Sequence, residues 1–278
     1  MLRQLLERLR ARPEPAAVRE PGGFNVLGEC RYGLMLFNRS DQYIGRALEC
    51  YGEYSQHEAD LMAQFLQPGA VVIDAGANLG ALTLFFARSV GRDGRVYAFE
   101  PQRVVFQTLC ANMAINSQVN VHAFHAALGA VPGTIKVDTP DYAIDNNFGG
   151  MALGEWVDGE TVPMMRIDDL GLDRCDLVKI DVEGMEAQVL AGARATLTRH
   201  RPLLYVENDR AEKVNALIRL VADMRYRMYW HFPPYFNPAN YRGRADNLFG
   251  NLASRNMLCV PAERAVSIKG LEAVVVAA

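Results

Sequence analysis

The stretch VVIDAGANLGALTLFFA, residues 71–87, decides the fold. Its first half is a short apolar, β-branched run without polar alternation, the pattern of a strand buried on both faces. Its second half is an apolar segment of helical length. Between them, Gly76 and Gly80 let the chain turn tightly and let a ligand approach the backbone. Asn78 is one of the few residue types besides glycine that tolerate a positive φ. The next strand, GRVYAFE (94–100), ends in Glu100, 24 positions after Gly76 (100 minus 76). A carboxylate at that place can accept both hydroxyls of a ribose. A strand, glycine turn, helix and strand-terminal acid in this order predict an adenosine-containing ligand.

Outward from this unit the chain alternates helix and strand. QHEADLMAQFL reads as a helix stopped by Pro68 and Gly69, VVFQTLCANMAIN as a helix, NVHAFHAAL as a third strand and CDLVKID as a fourth. MEAQVLAGARATLTR, PLLYVEN, AEKVNALIRLVADM and NMLCVPA follow as helix, strand, helix and terminal strand. GTIKVD and VPMMRIDDL interrupt the rhythm as extra strands. Strands separated by helices of this length need right-handed crossovers, so the expected fold class is α/β, with a doubly wound, mostly parallel sheet and an antiparallel terminal strand. Ahead of it, MLRQLLERLRAR (1–12) reads as an amphipathic helix, and RYGLMLFN with DQYIGRALE as a β-hairpin. The chain divides into an extension, 1–45, and a main domain, 46–278. Within the latter, the Pro-, Asn- and aromatic-rich residues 230–256 read as a lid over the acceptor, with 144–156 a second lid candidate.

The turn spells G-x-N-x-G rather than the G-x-G-x-x-G that seats a pyrophosphate. Asp74 just before it repels a pyrophosphate but attracts the ammonium and sulfonium of S-adenosylmethionine, so the residues favour that cosubstrate over NAD. With the leading YGEYSQHE, VYAFEP and LVKIDVEGMEAQVLAGA, the stretch resembles the FkbM family of S-adenosylmethionine-dependent methyltransferases over roughly residues 50–230. The resemblance implies a class I (Rossmann-like) methyltransferase fold and O-methylation of a hydroxyl on a sugar, glycan or natural product. By position it implies that Asp74, Gly76, Asn78 and Gly80 line the methionine and ribose portions and that Glu100, followed by Pro101, holds the ribose. It further implies that Ala126 and Ala127 face the adenine and that Tyr54 and Glu58 close over the amino-acid end.

KIDVEGMEAQ (179–188) places three carboxylates directly after the fourth strand. Asp181 should emerge at the same sheet edge as Asp74 and Glu100, which in the methyltransferase fold faces the cofactor's methyl group. Three roles stand open for it: removing the acceptor's proton, orienting the acceptor hydroxyl, or binding Mg or Mn with Glu207, Asn208 or Asp209 from the next strand end. Glu183 is a second cleft acid or a helix-start acid, and Glu186 a helix-start acid. Glu207 ends the fifth strand, and His231 is the histidine best suited as a base, its ordinary pKa lying near neutrality. FPPY (232–235) imitates the D/N-P-P-Y motif of nucleic-acid amino-methylating enzymes, but Phe232 has no acceptor for an exocyclic amine.

The net charge of −3 predicts no pull toward nucleic acid, and no run of about 18 apolar residues predicts a membrane span. Five scattered cysteines without metal-ligand spacing suit reduced thiols in a cytoplasm, here of bacterial type. The expected partner is a small-molecule or glycan acceptor, with a homo-oligomer formed through the first helix. Two rival classes remain: an NAD-type Rossmann oxidoreductase, and a methyltransferase-like module that binds without catalysis.

Overall fold

The computed structural model describes residues 23–154 and 156–276. The amphipathic helix expected at 1–12, and any oligomer contact through it, lies outside the described residues. A hairpin of β1 (Asn25–Cys30) and β2 (Gly33–Asn38) comes first, with Cys30 opposite Gly33. It forms one element earlier than expected, because IGRALECY folds as α1 (Ile44–Tyr51) and not as its second strand. Asp41 decides this locally: its carboxylate accepts the N–H groups of Tyr43 and Ile44 and so starts the helix.

After α2 (Gln56–Ala63) come β3 (Val71–Ala75), α3 (Ala81–Val90), β4 (Arg95–Phe99), α4 (Arg103–Ile115) and β5 (Val121–Phe124). The expected third strand breaks at His125, and Ala127–Leu128 becomes β6. It joins β7 (Gly133–Val137) and β8 (Glu160–Met165) in a separate three-stranded sheet. Then follow β9 (Leu177–Ile180), α5 (Glu186–Ala191), α6 (Arg194–His200), β10 (Leu203–Glu207), α7 (Val214–Asp223), β11 (Tyr226–His231), β12 (Asn256–Pro261) and β13 (Glu272–Ala273). The helix expected over 185–199 is thus two helices, and Trp230 and His231, the first residues of the expected lid, belong to strand β11.

The main sheet runs β13-β11-β12-β10-β9-β3-β4-β5. From β5 to β10 all neighbours are parallel, and β12 runs antiparallel to both β10 and β11. Numbering the seven large strands in chain order gives the class I methyltransferase arrangement that the motifs imply. Apolar side chains cover both faces: Ile73, Val178 and Leu204 pack toward α5, α6 and α7, and Val72, Val96 and Leu177 toward α2 and α3. The order in which successive strands are laid down reverses between the parallel neighbours β3 and β9, where the loops leaving their carboxyl ends part and leave a crevice. Among the described residues no helix is long and apolar enough to cross a membrane, and all five cysteines are free thiols.

The hairpin docks on α4 through Asn112, which is fully buried. Its Oδ1 accepts the Leu36 N–H at 2.6 Å, and its Nδ2 donates to the carbonyls of Leu36 at 2.9 Å and Leu79 at 2.8 Å. Asn112→Ala should lower the unfolding free energy by about 3 kcal/mol, since it leaves buried backbone groups unpaired. Denaturant unfolding measures this, and a loss below about 1 kcal/mol would mean that water replaces the amide.

Candidate active site

The crevice between β3 and β9 opens into a cleft enclosing about 980 Å³ of space continuous with solvent. Its floor is the glycine turn. Gly76 (φ 77°) and Asn78 (φ 50°) both adopt the left-handed conformation, and a Cβ on Gly76 would stand 1.7 Å from the Asp181 carbonyl oxygen. The turn therefore lies directly against the end of β9. Gly80 serves packing instead: it caps α3 with φ 91°, and a side chain there would run into Leu109. Glu100 is buried at the end of β4, where its two oxygens accept the N–H groups of Asn78 (2.9 Å) and Gln102 (2.8 Å). Burial pushes its pKa up to about 7 against these two donors.

Asp181, Glu183 and Glu207 converge on the opposite wall, each offering a carboxylate oxygen within 4.8 Å of the others. Glu183 sits in a left-handed backbone conformation (φ 53°) followed by Gly184 (φ 104°), which swings its carboxylate into the cleft rather than along α5. Arg210 holds that carboxylate at 2.6 Å. Burial and the charge of Asp181 nevertheless push Glu183 up to about 8. Glu207 rises well above the usual carboxylate range through burial, then the charges of Asp181 and Glu183. Its buried Oε2 has no hydrogen-bond partner. Glu186 stays behind the cleft, accepting the Gly184 N–H in the helix start as expected.

Asp74 does not face the cleft. It is fully buried beneath the turn, where Oδ2 accepts Thr83 Oγ1–H at 2.6 Å and Oδ1 stands 3.5 Å from Lys179 Nζ. The cation a carboxylate needs at this depth comes from the neighbouring strand, not from a ligand. Tyr54, Glu58 and Pro101 do line the cleft, whereas Ala126 and Ala127 are buried in the core and in the small sheet. Burial and Asp181 push Glu58 up to about 7, and Asn256 Nδ2 donates to it at 3.2 Å.

His231 is also off the cleft. Its Nδ1 takes the Tyr205 hydroxyl at 2.8 Å, and Asn256 Nδ2 donates to that hydroxyl at 2.9 Å, so the ring orients the network behind Glu58. Burial, then neighbouring His57, lowers its pKa to about 4, which suits an acceptor and not a base working near neutrality. Asn208 turns inward toward Met257, and Asp209 lies outside the three-carboxylate cluster. The carboxylates that gather are thus Asp181, Glu183 and Glu207, with Glu183 in place of Asn208 and Asp209. Lys179 and Arg210 already supply cations to two of them.

The outer wall adds Tyr43, which no local pattern announced, to residues the sequence had marked. Tyr43, Tyr54 and Tyr235 line the mouth, with ring centroids 5.9 Å (Tyr43–Tyr235) and 6.1 Å (Tyr54–Tyr235) apart in edge-on contacts. Of the expected lid, Tyr235, Ser254 and Asn256 reach the cleft. The rest is pinned: buried Glu53 accepts Asn237 Nδ2–H at 2.8 Å and the Tyr241 N–H at 2.7 Å while pairing with Arg31. Asn147, Gly149, Gly150 and Met151, from the second lid candidate, line the other side. The missed signal was Lys179, a charged residue inside an otherwise apolar strand.

The model of the family "Methyltransferase FkbM domain" matches residues 74–228. Methyltransferase sdnD of Sordaria araneosa is 29% identical over 160 residues, covering 44% of this chain and 59% of that protein. The 31-O-demethyl-FK506 methyltransferase FkbM of Streptomyces tacrolimicus is 32% identical over 159 residues, covering 46% and 60%. The chain thus spans about three fifths of the length of these curated relatives. A crystal structure of methyltransferase FkbM from Methylobacillus flagellatus is similar over 78% of this chain and 55% of that one, at 17% identity and a TM-score of 0.46.

These proton affinities predict an unusual pH dependence. A carboxylate whose folded pKa lies above its unfolded value stabilises the fold as pH falls through the folded pKa and loses that contribution as pH rises. Glu58 and Glu100 at about 7 and Glu183 at about 8 place the window there. His231, lowered to about 4, opposes the trend only below its unfolded pKa of about 6.5. The ligand-free thermal midpoint should therefore rise from about pH 8.5 to about pH 6.5, and Glu207→Gln should flatten the slope. A midpoint that falls over this range contradicts the site electrostatics.

Proposed function

We propose that this chain, which belongs to the methyltransferase FkbM domain family, transfers a methyl group from S-adenosylmethionine to a hydroxyl of a sugar, glycan or natural-product acceptor. The observation that carries the reading is the placement of Asp181 and Glu207 in one cleft with the Gly76–Asn78 turn and Glu100. The cleft fits the cofactor by its donor set: an acid at one end able to accept ribose hydroxyls, a backbone turn without side-chain bulk, and carboxylates in excess of their cations at the other end. When bound, S-adenosylmethionine supplies a methyl on a sulfonium, a carbon already activated toward nucleophiles.

The chain's own task is then alignment and proton removal. Asp181 orients the acceptor hydroxyl and, as the charged member of the Asp181–Glu207 pair, takes its proton, while burial keeps Glu207 protonated beside it. Glu183, held by Arg210, borders the same space. Tyr54 and Glu58 cover the end of the cleft nearest Asp181, and the aromatic wall of Tyr43 and Tyr235 offers faces for a ring-bearing acceptor. Residues 232–254 form the acceptor side as a fixed wall. The reading assigns countercharge to Lys179 and Arg210 and not to a divalent cation. The name of the Streptomyces relative states methylation of an O-demethylated natural product, which favours oxygen over nitrogen as the acceptor atom. Five free thiols accord with a reducing, cytoplasmic setting.

S-adenosylhomocysteine at about a hundred times its dissociation constant should stabilise the chain by about 2.7 kcal/mol, seen as a raised thermal midpoint, while NAD leaves the midpoint unmoved. Glu100→Ala should abolish the shift. A shift with NAD alone revives the oxidoreductase class. With an acceptor pool in hand, Asp181→Asn and Glu207→Gln should each slow transfer by roughly 10²–10⁴-fold while S-adenosylhomocysteine still binds. Binding without turnover on any hydroxyl acceptor would instead mark a non-catalytic module.

A further inference from the structure

Lys179 is 4% exposed in the centre of β9. Its ammonium donates to the Gly76 carbonyl at 2.8 Å and forms ion pairs with Asp181 Oδ2 at 3.2 Å and, at the longer distance of 3.5 Å, with Asp74 Oδ1. The register of the parallel pair sets this up, since Lys179 lies beside Asp74 across β3 and β9. One buried cation thus touches the cofactor turn, the carboxylate beneath it and the carboxylate facing the acceptor.

We propose that Lys179 is a positioning residue that couples the cofactor turn to the acceptor carboxylates, holding Asp181 as the charged member beside Glu207 so that the cleft presents a negative charge to a cationic cofactor. The inference rests on the methyltransferase reading above. A purely structural ammonium would need only one carboxylate partner and no contact with the turn. This one bridges the carbonyl of the glycine that must stay bare and the acid two residues along its own strand. The proton of the cluster then resides on Glu207, whose Oε2 lacks a donor. Burial alone lowers a lysine's proton affinity, but the charges of Asp181, Asp74 and Glu58 outweigh it and keep Lys179 charged.

The groups facing this pair are Asp74 from β3, Glu58 from α2, Glu183 and Glu207 from the same wall as Asp181, and Arg210 beyond β10. The hydroxyls of Tyr54, Tyr205 and Tyr235 stand around them, all with raised pKa values chiefly through burial, so they stay neutral over the pH range used.

The test needs no acceptor. Calorimetry on the full chain measures the affinity of S-adenosylhomocysteine, a neutral thioether, and of its analogue with a primary amine where the methyl sulfonium stands, across pH values below the amine's own titration. The wild type should prefer the amine, and the preference should fade as the carboxylate cluster takes up its proton. Lys179→Met should move the midpoint of that fading up by about one pH unit or more, a roughly tenfold drop in the affinity ratio at fixed pH. Lys179→Arg should restore it. Asp74→Asn, which frees Lys179 for Asp181, should move the midpoint down, and it serves where Lys179→Met does not fold. Equal losses for both ligands in Lys179→Met with an unmoved midpoint, or an unmoved midpoint in Asp74→Asn, overturn the proposal. If the wild type binds neither ligand, the cofactor reading fails and this inference falls with it.

Discussion

Gly76 and the carbonyl of Asp181 are packed so closely that no side chain fits between them, and the architecture of the cleft depends on that contact. It joins the first glycine turn to the end of β9 across the point where the strand order reverses. The Asp181 N–H donates to the Ala75 carbonyl and Gly76 donates to Phe99, so the ends of β9, β3 and β4 are tied together just before their loops diverge. Whatever binds the turn is therefore held at a set distance from the carboxylates that follow β9.

Those carboxylates create an electrostatic problem that the fold solves only in part. Glu58, Glu100, Asp181, Glu183 and Glu207 all face one cleft, against the two cations Lys179 and Arg210. In a poorly solvated space the excess negative charge is relieved by binding protons, which is why burial and neighbouring charge raise Glu58, Glu100, Glu183 and Glu207 together. A cleft charged in this way favours a cationic ligand and contains a carboxylate basic enough to accept a proton near neutrality. The same feature costs stability in the empty protein, the usual balance at a site built for binding.

The outer wall is held by long-range polar contacts rather than by its own periodicity. Glu53 and Tyr51, at the end of α1 and just beyond it, collect the backbone of 237–248: Glu53 accepts the Tyr241 N–H, and the Tyr51 hydroxyl accepts the Leu248 N–H while donating to the Asp246 carbonyl. The hairpin braces this arrangement, since the Tyr241 hydroxyl donates to Glu29 and Arg242 to the Glu29 carbonyl. An irregular, aromatic-rich segment thereby becomes a rigid face of the cleft.

Local chain geometry is legible in residues taken one after another. The apolar period, the glycine turn and the acids that end strands determined the α/β order and Glu100, Asp181, Glu183 and Glu207 as cleft residues, because a strand end and its turn fix where the next side chain points. Partnership across the sheet is not legible in this way. Asp74 reads as a ligand-facing acid until Lys179 is found beside it on β9, and His231 reads as a base until Tyr205 takes its ring nitrogen. Asn208 and Asp209 follow Glu207 directly, yet only Glu207 joins the cluster, and residues 44–51 form a helix instead of a hairpin strand because Asp41, by accepting the Tyr43 and Ile44 N–H groups, outweighs an alternating pattern. These outcomes follow from burial: once a charge or donor is removed from water it takes the nearest partner in space, and which partner is nearest is set by strand order and register, not by neighbours in the chain.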